Sequence, residues 1–284
     1  MRLKGVRGSR NVEDRRGQRG RAGAGAGIGG VGLLIILAIG YFAGVDVTPL
    51  LNGQLDSGGQ QTAGAPRELT PEERKAGDFA VKVLATTEDV WGKVFPQDFG
   101  KPYRAPVLVL YSGVTQSPCG GASGATGPFY CPGDRKIYLD TEFFATMSRQ
   151  LGAKGDFAEA YVIGHEVAHH VQNELGIIPK VDAARKRASE VKANALTVRL
   201  ELQADCLAGV WGRHVDGLLE PGDVEEALNA ARQIGDDTLQ RRAGRVPQPH
   251  TFTHGTSAQR QRWFAEGYDS GDPNSCDTFG TDSL

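Results

Sequence analysis

The sequence of 284 residues has little net charge and only four cysteines and six histidines. Its formal net charge of −2 means that the chain lacks the strong basic excess typical of nucleic-acid-binding proteins. With 39% hydrophobic and 23% charged residues, it is neither a polar disordered chain nor a multi-span membrane protein. It also lacks internal repeats. Most of the chain is therefore expected to fold.

The charge is unevenly distributed along the chain. Residues 1–21 contain eight Lys and Arg residues against Glu13 and Asp14, a net charge of +6, whereas the remaining residues sum to −8. An acidic body does not offer the basic face that phosphate binding requires, so no nucleic-acid partner is expected. The basic N-terminal stretch needs a different explanation.

An uncharged stretch follows these basic residues directly. Residues 22–45 include the apolar core Val31–Phe42 and reach the ~20 residues that a helix needs to cross a bilayer. A cleaved signal peptide would show a small-residue site close behind the apolar core, which is missing, and a buried core helix would not explain the adjacent cations. The positive-inside rule places residues 1–21, a basic arm, in the cytoplasm and everything after Val45 on the extracytoplasmic side of the cytoplasmic membrane.

Residues 46–65 are rich in Gly, Gln and Ser and show no hydrophobic period, which is typical of a flexible linker. Just beyond it, Thr70 and Glu73, with a proline between them, form a capping box that begins a helix running towards Val94. The folded domain is therefore predicted to span residues 66–284.

Two short runs rich in β-branched and aromatic residues, 107–111 and 136–140, predict a small sheet. Apolar residues at helical spacing predict several helices after it. This order indicates one α+β domain behind a single N-terminal transmembrane helix. The predicted helices cover residues 157–175 and about 181–214, a third begins at a capping box in Asp223–Glu226, and a fourth covers 257–266.

The four cysteines suggest two disulfide bonds, because the domain is predicted to lie outside the cytoplasm. Three pairings are possible. We favour Cys119 with Cys131, which closes the loop between the two predicted strands, and Cys206 with Cys276, which ties the C-terminal tail to a helix. The alternative for Cys206 is a buried free thiol among apolar neighbours. A cysteine zinc site is not expected, since the chain has no Cys-x-x-Cys spacing.

The residues that carry chemistry lie in the segment His165-Glu166-Val167-Ala168-His169. Histidines four apart share one face of a helix, so both imidazoles can bind one metal ion, and Glu166, rotated by about 100°, reaches a water beside that ion. Zinc suits these ligands because it lowers the pKa of bound water towards ~7 and polarises a carbonyl, while Glu166 transfers the proton as general base. The alternative is a surface helix that carries histidines by chance. His170 faces away and is predicted to be structural or exposed.

A catalytic zinc needs a third protein ligand and an open fourth position. Glu201 is the best candidate, and Asp205, one helical turn later, would accept the spare ring N–H of a ligand histidine and fix its orientation. Two carboxylates at this spacing often mark a solvated helix face, but their neighbours here are apolar. Glu190 is the reserve ligand, and the third histidine of the metzincin pattern is missing.

Four separate segments carry a family resemblance, in the same order along the chain: Asn11–Gly17, Ala125–Pro132, Gly164–Gln172 and Arg199–Gly209. They resemble the membrane-anchored neutral zinc metallopeptidases of bacteria, and His165–His169 with Glu201-x-x-x-Asp205 resembles the gluzincin arrangement of thermolysin-like peptidases. The resemblance implies a zincin-like fold, in which an edge strand beside the active-site helix binds an extended peptide through its backbone. It assigns that strand to Lys136–Asp140 and a wall of the cleft to the Cys119–Cys131 loop.

Zinc peptidases usually place one more donor near the metal to stabilise the oxyanion of the tetrahedral intermediate. His254, in a loop before a helix, is the first candidate, and Tyr138 and Tyr161 are further options. A histidine beside a glycine in a loop is more often only a surface residue.

These features predict a membrane-anchored zinc metalloendopeptidase that acts on peptides or on unfolded and exposed segments of proteins. The alternative is a zinc-stabilised binding or scaffolding module of the cell envelope that has lost turnover. Glu166 favours the enzyme, because a module needs the two histidines but no glutamate between them. Zinc-dependent hydrolysis of another amide is a third possibility.

Overall fold

Four of the six strands in the described part of the chain form one mixed sheet, in the order β1-β2-β6-β5. The computed structural model describes residues 1–17, 68–123 and 127–284. Strands β1, β2 and β6 are parallel, β5 is antiparallel to β6, and β3 and β4 form a separate hairpin. The strands are β1 (Val12–Asp14), β2 (Val107–Tyr111), β3 (Val114–Ser117), β4 (Gly120–Ser123), β5 (Phe129–Cys131) and β6 (Lys136–Asp140).

Helices follow the sheet, as the α+β prediction expects. The predicted helix over residues 181–214 is two helices, α4 and α5, because residues 186–189 form a turn between them. The helices are α1 (Pro71–Phe99), α2 (Phe143–Gln150), α3 (Asp156–Glu174), α4 (Ile177–Arg185), α5 (Glu190–His214), α6 (Asp223–Gln233), α7 (Asp236–Arg242) and α8 (Ser257–Ser270).

The capping boxes only partly match the prediction. Thr70 and Glu73 form the expected box at the start of α1, and Thr256 forms another at the start of α8. The box predicted at the start of α6 is wrong. Its N-cap is Gly222, and the Asp223 carboxylate instead accepts the backbone N–H of Glu220.

Residues 1–17 are part of the same folded unit as the rest of the described chain, where the sequence had suggested a separate basic arm. Strand β1 extends the sheet beside β2. The guanidinium of Arg16 lies over Gly77 of α1, where any side chain would collide with it, and donates to the Glu73 carbonyl. Three arginines of this stretch form ion pairs: Arg7 with Glu88 and Asp89, Arg15 with Glu13, and Arg16 with Asp14.

No helix in the described part of the chain is long and apolar enough to span a membrane. The predicted anchor over residues 22–45 and the predicted linker over residues 46–65 lie outside the described residues.

Both predicted disulfide bonds are confirmed. Cys119 pairs with Cys131, which links the β3–β4 hairpin to β5, and Cys206 pairs with Cys276, which fastens the C-terminal tail to α5. The sequence had suggested only a loop between the two predicted strands, but that region contains β3, β4 and β5.

The prediction that Lys136–Asp140 is the edge strand is wrong. This strand, β6, is paired on both sides, with β2 in parallel and with β5 in antiparallel register. Its backbone hydrogen-bonding groups are therefore used within the sheet. The edge strand on this side is β5 (Phe129–Cys131), whose Tyr130 side chain contacts α3 through His170 and Asn173.

Close helix packing sets the position of the residues described below. Helix α3 is buried on nearly all sides, which explains why its sequence is apolar around the histidines. Helices α5 and α8 meet at Gly209 and Gly267, where a Cβ atom would lie 2.1 Å from the Phe264 carbonyl and 1.8 Å from the Cys206 carbonyl, respectively. Only glycine permits this approach, which brings α8 against the middle of α5.

Candidate metal centre

The two histidines of α3 and one glutamate of α5 converge on a single point. His165 and His169 lie one turn apart, and Glu201 faces them from the neighbouring helix. The Glu201 carboxylate oxygens lie 3.1 Å from His165 Nε2 and 3.6 Å from His169 Nε2. The three side chains offer ligand atoms that all lie within 4.8 Å of one another. Glu201, predicted as the third ligand, is thus brought to the histidines.

His165 is held by a buried carboxylate. Asp205 is fully buried, and its Oδ1 lies 2.9 Å from His165 Nδ1, which leaves Nε2 directed at Glu201. The Tyr161 hydroxyl donates to the same oxygen at 2.5 Å. Arg260 of α8 donates to both Asp205 oxygens, from Nε at 2.8 Å and from a terminal nitrogen at 2.9 Å. Asp205 therefore occupies the orienting position that the sequence predicted, and Arg260 neutralises it.

His169 is held by a neutral group instead. Its Nδ1 lies 2.9 Å from Oε1 of Gln172, one turn further along α3. Gln172 is fully buried and donates to the Leu200 carbonyl of α5. Both histidines thus have an acceptor at Nδ1, the arrangement by which metal-binding histidines present Nε2 to the metal.

Glu201 supplies an ionised carboxylate to the centre. Burial alone would raise the pKa of Glu201, but His169, His254 and His165 keep it well below its usual value. Burial alone would lower the pKa of His165, but Asp205 and Glu201 outweigh it and raise the pKa to about 10. Two imidazole nitrogens and one carboxylate are also the donor set of many catalytic zinc sites. The residues therefore fit a zinc ion.

Glu166 lies beside this centre, where the sequence placed a general base. Its side chain is buried, and burial raises the pKa of Glu166 above its ordinary value against the opposing effect of His169 and His165. The backbone N–H of Tyr130 on β5 faces this carboxylate and partly offsets the rise in its pKa. Glu166 therefore lies between helix α3 and the edge strand β5.

His254 also lies near the centre. Its backbone N–H donates to Asp236, whose carboxylate also accepts the backbone N–H groups of Thr253 and Gly255 and so fixes the loop. Burial alone would lower the pKa of His254, but Glu201 and Asp236 outweigh it and raise the pKa. The imidazole remains half exposed, with Nδ1 3.4 Å from Asp236.

Other predicted residues do not face the centre. Glu190 is exposed in the first turn of α5. His170 is buried and bonded to the Tyr130 hydroxyl and the Arg104 carbonyl, which agrees with a structural role. The Tyr161 hydroxyl is used by Asp205, and the Tyr138 hydroxyl donates to Asp134, so neither tyrosine is available as an oxyanion donor.

A second group of acidic side chains, Asp156, Asp223 and Glu226, also has the spacing of metal ligands. Its groups already have partners: the Met1 ammonium contacts Asp156 and Asp223, and the backbone N–H of Phe157 donates to Glu226. This cluster fastens the N-terminal segment to α3 and α6.

The sequence did not identify Gln172, Arg260 or Asp236 as parts of the centre. Gln172 carried a usable signal, because it lies one turn after His169 on the same face of α3. Arg260 and Asp236 lie on other helices. Nothing in their local sequence indicates that Arg260 contacts Asp205 or that Asp236 contacts His254.

The pairing of Arg260 with Asp205 generates a stability prediction. Arg260→Met leaves the Asp205 carboxylate buried without its cation, so the free energy of unfolding is expected to fall by about 3–5 kcal/mol. Chemical denaturation measures this loss. Arg262→Met, which removes an exposed arginine from the same helix, is the control and is expected to change stability by less than about 0.5 kcal/mol. Equal stabilities for the two variants would contradict the role of Arg260.

Comparison with known proteins agrees with this geometry. The chain is 50% identical over 290 residues to the uncharacterized protein YpfJ of Escherichia coli K12, covering 99% of both chains. It is 42% identical over 219 residues to the uncharacterized protein Rv2575 of Mycobacterium tuberculosis H37Rv, covering 72% of this chain and 71% of that one. No solved structure matches it. The family described as "Putative neutral zinc metallopeptidase" matches residues 1–279, and the chain belongs to this family.

Proposed function

We propose that this protein is a zinc-dependent endopeptidase. The observation that carries the proposal is the position of Glu166, a buried carboxylate with a raised pKa, beside the three ligand groups of His165, His169 and Glu201. Zinc held by these groups supplies a Lewis acid that polarises a carbonyl and lowers the pKa of water. A purely structural zinc site would be closed by a fourth protein ligand. The described residues bring only three together here.

Glu166 is the proton-transfer group in this proposal. A general base works best when its pKa lies near the working pH, and burial shifts that of Glu166 in this direction. Its carboxylate takes a proton from the attacking water and delivers it to the leaving amine.

The edge strand β5 supports a peptide as the substrate. One side of β5 pairs with β6, and its other side lies beside α3 next to Glu166. An extended peptide can add to such an edge through backbone hydrogen bonds. The Cys119–Cys131 bond holds the β3–β4 hairpin against β5 and supports its role as a wall of the cleft. Peptides and unfolded or exposed protein segments offer the extended backbone that this edge binds.

His254 is the proposed oxyanion donor. Its imidazole Nδ1 lies 3.4 Å from Asp236, which would support the imidazolium form that stabilises a developing negative charge. Asp236 supports that charge and holds the loop through three backbone N–H groups.

The cellular location is a separate part of the proposal. The uncharged stretch 22–45 supports attachment to the membrane, and the two disulfide bonds support an oxidising compartment. The pairing of β1 with β2 requires the N-terminal segment and the domain to share one compartment. We therefore propose that both lie on the extracytoplasmic side. The single crossing over residues 22–45 and the cytoplasmic N-terminus that the sequence predicts are not part of this proposal.

Glu166→Gln tests the peptidase directly. The substitution keeps the three metal ligands and removes the base, so zinc content is expected to stay unchanged while cleavage of a peptide and unfolded-protein library falls by about 10²–10⁴-fold. Mass spectrometry of the products from the zinc-loaded full chain measures both the loss and the cleavage sites. If wild type and variant bind zinc equally and neither cleaves, the non-catalytic binding module gains support instead.

His254→Ala tests the oxyanion donor. We expect kcat to fall by about 10²–10³-fold with little change in KM, because the lost contact forms in the transition state. The matched control is His250→Ala, an exposed histidine outside the centre, which should cleave at the wild-type rate. A wild-type kcat for His254→Ala would exclude this role while leaving the peptidase itself intact.

Cysteine labelling tests the shared compartment. Arg10→Cys and Lys192→Cys introduce exposed thiols in the N-terminal segment and in α5, respectively. Both are expected to react equally with a membrane-impermeant maleimide in spheroplasts. Labelling of Arg10→Cys only after lysis, with Lys192→Cys labelled before it, would place the two segments on opposite sides of the membrane.

A further inference from the structure

The two ligand histidines are oriented by different kinds of group. His165 Nδ1 is held by a carboxylate that is itself locked by Arg260, whereas His169 Nδ1 is held by an uncharged amide. An amide oxygen only accepts hydrogen bonds, so the contact with Gln172 Oε1 requires a proton on His169 Nδ1. The lone pair of His169 then lies on Nε2, which faces Glu201.

The orientation of the Gln172 amide is fixed by acceptors on its other side. Its Nε2 donates to the Leu200 carbonyl at 2.7 Å and to Gln203 Oε1 at 3.1 Å. A flipped amide would place its oxygen against these acceptors and its NH₂ group against His169. Because Gln172 is fully buried, no bulk water replaces these partners.

Gln203 connects this pair to the C-terminal tail. Its Nε2 donates to the backbone carbonyl of Cys276 at 3.0 Å, so that its Oε1 is left to accept from Gln172. The position of that carbonyl is set by the bond between Cys276 and Cys206 of α5. The tail is further fastened where the Thr278 hydroxyl donates to the Arg199 carbonyl at 2.6 Å.

We propose that Gln172 is a positioning residue for His169 and that the Cys206–Cys276 disulfide stabilises its orientation through Gln203. The four groups form one amide relay: His169, Gln172, Gln203 and the Cys276 carbonyl. Zinc affinity therefore depends on a disulfide bond that contributes no ligand. The inference rests on the proposed zinc site. It adds that residues outside the set of ligands determine how tightly the site binds zinc.

The first test is the zinc affinity of Gln172→Met in the full chain, measured by competition with a fluorescent chelator. Methionine keeps the approximate volume and removes every hydrogen bond, and we expect zinc to bind about 10- to 100-fold more weakly. Gln203→Met, which breaks the relay without touching His169 or the disulfide, should weaken zinc binding in the same direction. The absorption spectrum of the cobalt-substituted protein should change in both variants, which a loss of general stability alone would not produce.

The second test is a double-mutant cycle with the disulfide. Replacing Cys206 and Cys276 by alanine should weaken zinc binding in the wild-type background but not further in Gln172→Met, because the relay is already broken there. The control is Thr87→Ala, which removes a buried hydrogen bond within α1 and should leave zinc affinity unchanged in either background. Thermal denaturation of the metal-free variants verifies that each one folds.

The outcomes separate this inference from the proposed function. If the wild type binds no zinc, the zinc site itself fails. If the wild type binds zinc and both Gln172→Met and Gln203→Met bind it equally well with an unchanged cobalt spectrum, the relay is overturned and the zinc site stands. If the effects of the disulfide and of Gln172→Met are additive, the disulfide acts independently and its link to His169 is overturned.

Discussion

The pairing of Asp205 with Arg260 is the interaction on which the rest of the centre depends. A carboxylate with no solvent exposure is tolerated only when all of its oxygens have partners. Arg260, Tyr161 and His165 supply those partners from two different helices. Arg260 and His165 lower the pKa of Asp205 to about 2 despite its burial. One charged side chain thus fixes the relative position of α3, α5 and α8 and orients a metal ligand at the same time.

The remaining parts of the fold place other groups around this fixed core. The close contact at Gly209 and Gly267 brings α8 near enough for Arg260 to reach Asp205. The sheet presents β5 to Glu166, and the first residues of the chain complete the opposite edge of that sheet. The N-terminal segment is thus a structural part of the domain that carries the centre, and its Arg7 pairs with acidic groups of α1.

The sequence predicted which side chains converge at the centre better than it predicted their surroundings. His165, Glu166 and His169 follow from helical spacing, and Glu201 with Asp205 follows from the same spacing in a second helix. The edge strand could not be predicted, because the three-residue β5 carries no alternating pattern and its pairing depends on contacts distant in sequence. Arg260 lies 55 residues from Asp205, and such a contact leaves no local signal. Strand β1 was not predicted, because the basic residues around it suggested a separate arm. The contact of Arg7 with Glu88 and Asp89 joins residues that are distant in sequence.

The central claim is that His165, His169 and Glu201 together hold one zinc ion. Anomalous diffraction at the zinc edge, on crystals of the zinc-loaded full chain, tests it most directly. The account predicts one strong peak about 2.0–2.2 Å from both Nε2 atoms and from a Glu201 oxygen. A peak at the Asp156, Asp223 and Glu226 cluster instead, or none between the two histidines, would contradict it.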